Sequence, residues 1–167
     1  LFALSGLANA VWLFCWHYNL FRWSVLVMLT LLGLLIASYL RLDVNRTPAR
    51  GGERWCVDIP FSIYLGWITV ATVANVTDWL YWVGWSGWSL APQVWAVIML
   101  GIASLIGLAM ALTRRDVAFL LVLVWSFAGI GVKQAAAPLV AYSAWAAAVV
   151  ALLLAAYSLM TRKLKLP

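Results

Sequence analysis

Charge is what this chain has least of. Only 10% of its 167 residues are charged, against about 25% in an ordinary soluble domain. Five acidic residues and one histidine provide no pair of intramembrane carboxylates and no Ser–His–Asp set, and no Gly-rich phosphate loop interrupts the apolar runs. So few charges inside those runs disfavour a proton relay, a transporter with a charged midplane site and an ion channel. Cysteine is nearly as scarce. Cys15 and Cys56 fall near opposite membrane faces, so no disulfide is expected, and with His17 as the lone imidazole no metal cage can be assembled. The net charge of +6 comes from Lys and Arg scattered between apolar runs. They form no stripe that could track a phosphate backbone, which argues against a nucleic-acid partner.

What is present in excess is hydrophobic residues, 66% of the chain, in runs near the ~20 residues that cross hydrocarbon. The expected fold is all-α: a polytopic helical membrane protein with about six transmembrane helices, its first partner the lipid bilayer. The apolar segments run over Leu1–Trp16, Trp23–Leu40, Val57–Val76, Gln93–Leu112, Val117–Val132 and Leu139–Met160. A tight turn at His17–Arg22 makes the first two an antiparallel hairpin. Leu42–Trp55 is the polar loop, and Thr77–Ala91 is a loop rich in Trp and Gly. Thr113–Asp116 and Lys133–Pro138 are short turns. Arg41, Arg46, Arg50, Arg54, Arg114, Arg115, Arg162, Lys163 and Lys165 fall on one side, and Arg22 and Lys133 on the other. This bias predicts a cytoplasmic polar loop (42–55) and C-terminus, and a Trp-rich loop (77–91) facing the periplasm or outside; the expected membrane is a bacterial inner membrane. The chain opens at Leu1 within an apolar run and without Met, so it is expected to begin inside a longer protein.

Two segments carry a polar and aromatic stripe. Pro60, Tyr64, Trp67, Ala71 and Asn75 are spaced 4, 3, 4 and 4, and Ser5, Asn9, Trp12 and Trp16 are spaced 4, 3 and 4. At about 100° per residue each set lies on one helical face. An amide in hydrocarbon needs a partner. Asn9 and Asn75 therefore either bond between helices, worth ~0.6 kcal/mol on average, or line a cavity. Aromatic faces with a few polar handles suit a flat apolar ligand. His17 reads either as a turn residue or as a ligand to a pigment metal. Asp58 reads as a helix cap ahead of Pro60. Two rows of small residues, Ala103/Gly107/Ala111 and Ala147/Ala151/Ala155, suit close helix packing. They mark the last three helices as scaffold, apart from a stripe of Trp125, Gly129 and Lys133.

The run Tyr64-Leu65-x-Trp67-x-Thr69-x-Ala71-Thr72-x-x-Asn75 resembles the last helix of the TspO/MBR family, the tryptophan-rich sensory or translocator proteins. Asn9-x-x-Trp12-x-x-x-Trp16, followed by a turn and an apolar helix, is similar to that family's third and fourth helices. Residues 1–76 thus match the family's last three helices. Residues 77–167, a Trp-rich outer loop and three added helices, fit a longer branch. The resemblance implies a pocket for porphyrins, sterols or synthetic aromatics, lined by Asn9, Trp12, Trp16, Tyr64, Trp67, Ala71 and Asn75, with Trp67 as the tryptophan linked to porphyrin chemistry. The sequence departs from the family in several places. The first two helices and the lid loop between them are not in this chain, a proline sits at Pro60 rather than directly before Tyr64, and Ser5 stands where Gln is common.

The expected function is a membrane receptor or carrier for a tetrapyrrole or similar flat hydrophobic ligand. No cofactor is assigned beyond a porphyrin or haem-type tetrapyrrole as that ligand. The alternative is a structural or accessory subunit of a larger, pigment-bearing membrane complex. A homodimer fits either reading. Light-dependent porphyrin breakdown is the catalytic variant, and no catalytic residue is assigned.

Overall fold

The computed structural model of the chain describes residues 1–46 and 51–163, with side chains described through Thr161. Residues 47–50 of the polar loop, Lys165 and the side chains of Arg162 and Lys163 lie outside the described residues. Each apolar run forms a helix, because a chain in lipid must satisfy its backbone hydrogen bonds within itself. The helices are α1 (Phe2–His17), α2 (Phe21–Arg41), α3 (Gly51–Trp82), α4 (Pro92–Thr113), α5 (Val117–Lys133) and α6 (Pro138–Lys163). Four of them, α2, α3, α4 and α6, are long and apolar enough to cross a membrane, whereas α1 and α5 are apolar but shorter, at 16 and 17 residues. The exposed surface is largely apolar, with Leu26, Leu29, Leu105, Leu112, Leu152 and Leu153 outward. Water would not tolerate that surface, and lipid covers it without cost.

The helix α3 differs from the expectation at both ends. It starts at Gly51, and Arg54–Asp58 is π-helical. Pro60 cannot donate a backbone hydrogen bond, and the wider turn just before it accommodates the gap, with the Ile59 N–H reaching Arg54 O. Asp58 is therefore not a helix cap. It lies inside a continuous helix, is buried, and makes no capping bond. At the other end α3 runs on to Trp82, so Thr77–Trp82 is helix rather than loop. The turn proper begins at Val83.

The chain forms two compact units, Leu1–Ser86 and Gly87–Pro167. In the first, α2 is the middle helix and packs along both α1 and α3. The buried line of α2 is Ser24, Met28, Leu31, Leu35 and Ser38, spaced 4, 3, 4 and 3. The α3 face against it is Ser62, Leu65, Ile68, Thr72 and Asn75. At one end of the unit, Phe2 of α1 meets Phe61 of α3, ring centroids 5.5 Å apart.

In the second unit all three helices pack on one another. Ala103, Gly107 and Ala111 are buried as expected for a small-residue row, and a Cβ on Gly107 would lie 2.7 Å from Leu123 Cδ1. On α6 the buried alanines are Ala141, Ala144, Ala148, Ala151 and Ala155, so the row passes through Ala148 rather than Ala147. Trp125, Gly129 and Lys133 face outward. The turn before α4 is tied down by Trp95, whose indole N–H donates to Gly87 O at 2.8 Å. Gly87 has φ +64, and a Cβ there would lie 3.1 Å from that same nitrogen. Both its conformation and its neighbour therefore call for glycine.

Candidate aromatic cleft in the first unit

The α1 stripe faces inward. Ser5 is fully buried and its hydroxyl donates back to Phe2 O at 2.7 Å. Asn9, Trp12 and Trp16 are half-buried on the same side. The indole N–H of Trp12 is buried with no hydrogen-bond partner among the described residues, a donor left over for something else. Trp12 and Trp16 are four residues apart, so their rings meet on one face, stacked at 5.8 Å and 29°.

The chain then reverses through Asn19, whose φ of 56° a short amide side chain tolerates. This turn delivers Phe21 at the start of α2, edge-on to Trp16 at 5.5 Å and 85°. Phe21 in turn lies 6.2 Å from Trp82 of α3. Trp16, Phe21, Asp78, Tyr81 and Trp82 line an open cleft of about 600 Å³, a volume within the range of small-molecule sites. Of the residues expected to form a site, Trp16 lines the cleft and Trp12 backs it by stacking.

The α3 stripe falls differently. Its Tyr64 and Ala71 are half-buried, and Trp67 is 53% exposed. At about 100° per residue this stripe is roughly 100° round the helix from the face that packs on α2. Asn75 is the exception. It is 2% exposed and donates its amide N–H to Ser24 Oγ of α2 at 3.1 Å, with its Oδ1 3.3 Å from the same hydroxyl. Its amide joins two helices and its partner is not Asn9.

Phe21, Asp78, Tyr81 and Trp82 were not anticipated. A signal for two of them was present, because spacings of 3 and 4 beyond Asn75 land on Asp78 and Trp82, in phase with Tyr64 and Ala71. Reading Thr77–Ala91 as a loop hid that continuation. The lone histidine, His17, is exposed and packs edge-on against Tyr18 at 5.1 Å. Cys15 and Cys56 are free, and no group of potential metal ligands occurs among the described residues.

The fold and surface define an integral membrane protein of helical type, carrying an aromatic cleft at one end of its first unit. A family model described as TSPO-like protein matches residues 1–157, and the chain belongs to that family. No curated protein and no solved structure shows significant similarity to it.

Proposed function

We propose that this protein is a membrane receptor or carrier that binds a flat hydrophobic ligand, of the tetrapyrrole type, with one edge in the cleft of the first unit. The observation that carries this reading is convergence. The α1 stripe ends at Trp16 and the continued α3 stripe ends at Asp78 and Trp82, and these residues share one cleft with Phe21. Four aromatic side chains from three helices can enclose a planar ring, and an aromatic pair contributes about 0.5–1.5 kcal/mol beyond its buried area. The unpartnered N–H of Trp12 is a donor for a polar edge of a ligand that reaches past Trp16. Asn9 extends the same wall. Tyr64, Trp67 and Ala71 would meet a ligand that runs along α3, and Asn75 holds that helix against α2. In this reading residues 1–76 and the rest of α3 carry the ligand, while the following helices serve as scaffold. Membership of a TSPO-like family supports the same choice.

The bias of basic residues supports a topology with residues 42–55 and the C-terminus on the cytoplasmic side, and the membrane of this proposal is a bacterial inner membrane. The cleft then opens toward the periplasmic headgroups.

The test is titration of purified protein with protoporphyrin dimethyl ester, an uncharged planar ring, while following tryptophan fluorescence. Saturable quenching is expected. Trp16→Ala combined with Trp82→Ala should weaken binding by roughly tenfold or more, the loss of two stacking contacts, and Trp67→Ala should weaken it less. Quenching that is absent, or that survives the double substitution unchanged, rules the reading out.

A further inference from the structure

Among the residues that line the cleft one side chain is charged, and it is a carboxylate. Asp78 stands among Trp16, Phe21, Tyr81 and Trp82. It makes no hydrogen bond or ion pair among the described residues, and no basic residue lines the cleft. Aromatic faces carry negative electrostatic potential and attract a desolvated cation. The carboxylate adds a full negative charge beside them. An anionic group placed here would meet repulsion from both, whereas an ammonium or a positively charged aromatic ring would be attracted by both. The rings pack on one another, with centroids 5.5 Å apart for Trp16 and Phe21 and 6.2 Å for Phe21 and Trp82, so they present one joint aromatic wall to a cation held in the cleft.

We propose that the cleft selects for positive charge, with Asp78 as its specificity-determining residue and an organic cation, quaternary ammonium or cationic aromatic, as the preferred occupant. This inference rests on the cleft being the ligand site. It adds that charge decides among ligands of equal shape. The cation can arrive as a soluble aromatic compound or as the ammonium headgroup of a lipid.

The experiment uses two porphyrins of like size and opposite charge, tetrakis(N-methylpyridinium-4-yl)porphyrin and tetrakis(4-sulfonatophenyl)porphyrin. The full chain is titrated with each in an uncharged maltoside detergent, beside protoporphyrin dimethyl ester as the neutral ring. The cationic porphyrin should bind on the order of tenfold more tightly than the anionic one. Asp78→Asn should remove most of that preference, read as the ratio of the two charged rings' affinities within the same variant, and Asp78→Glu should restore it. Asp78 is exposed, so neither change should disturb folding, and circular dichroism with size-exclusion chromatography of each variant reports that directly. Displacement of the cationic porphyrin by phenyltrimethylammonium assigns a soluble cation. Displacement only by dihexanoylphosphatidylcholine assigns a lipid headgroup. Equal affinity for the two charged porphyrins, or a preference that persists in Asp78→Asn, overturns the inference even if the neutral ring binds. Failure of all three rings to bind overturns the reading of the cleft as a ligand site.

Discussion

Asn75 and Ser24 show how a polar side chain is used inside an apolar bundle. Each is buried, and the Asn75 Nδ2–H donates to Ser24 Oγ at 3.1 Å, while Asn75 Oδ1, at 3.3 Å, is one of two acceptors in reach of the single hydroxyl proton. The Ser24 hydroxyl also lies 2.9 Å from Phe21 O, which ties the packing pair to the start of α2, where Phe21 enters the cleft. The amide is thus committed to helix packing. A double-mutant cycle with Ser24→Ala and Asn75→Leu should give a coupling of about 0.6 kcal/mol, the average for hydrogen bonds between membrane helices. Denaturation of the detergent-solubilised protein measures it, and a coupling indistinguishable from zero would contradict the pairing. Trp12 is the converse case, since its N–H is buried and unpartnered. A buried donor in that condition calls for a water or another partner beyond the described residues.

At the scale of the element, α3 decides where the cleft is. Its 32 residues span about 48 Å at 1.5 Å per residue, well beyond the ~30 Å of hydrocarbon. The last turns, with Asp78, Tyr81 and Trp82, therefore extend past the apolar run that ends near Val76. Had the chain left the helix there, these three residues would not share a face with the Trp16 end of α1. Thr77→Pro tests this. Proline removes the N–H that donates to Val73 O and its ring strains the preceding turn, at a cost of about 3 kcal/mol. The expected result is loss of porphyrin binding by more than tenfold with little change in total helicity by circular dichroism. Unchanged affinity would mean that the helical extension does not position the site. The offset of the α3 stripe from its packed face belongs to the same scale. Ser62, Leu65, Ile68 and Thr72 meet α2, and the side carrying Tyr64 and Trp67 is left for other contacts.

At the scale of the whole molecule, the predicted topology gives the cleft a direction. In the six-helix topology expected from the sequence, nine of the eleven basic residues would fall on one side, the asymmetry that sets orientation. With Cys15 and Cys56 replaced by serine, a single cysteine at Ser86 should react with a membrane-impermeant maleimide applied from outside intact spheroplasts. One at Arg46 should react only after permeabilisation. The reverse pattern would invert the topology and point the cleft at the cytoplasm.

The sequence by itself determined the class of protein, the count of helices and most of their limits. Hydrophobicity is a property of each residue, summed along the chain, and runs of 16 to 22 residues are visible without knowing what they touch. It also showed the aromatic end of α1, because Trp12 and Trp16 at spacing four must share a face. Only the tertiary structure decided which side of α3 meets α2, that Asn75 answers Ser24, and that Phe21, Asp78, Tyr81 and Trp82 come together around Trp16. The physical reason is the solvent. In water a helix declares its buried face by contrast with a polar one, but lipid tails are as apolar as leucine. Exposed Leu26 and buried Leu31 on α2 are therefore the same residue type on opposite errands, and the phase of each helix is set by packing alone.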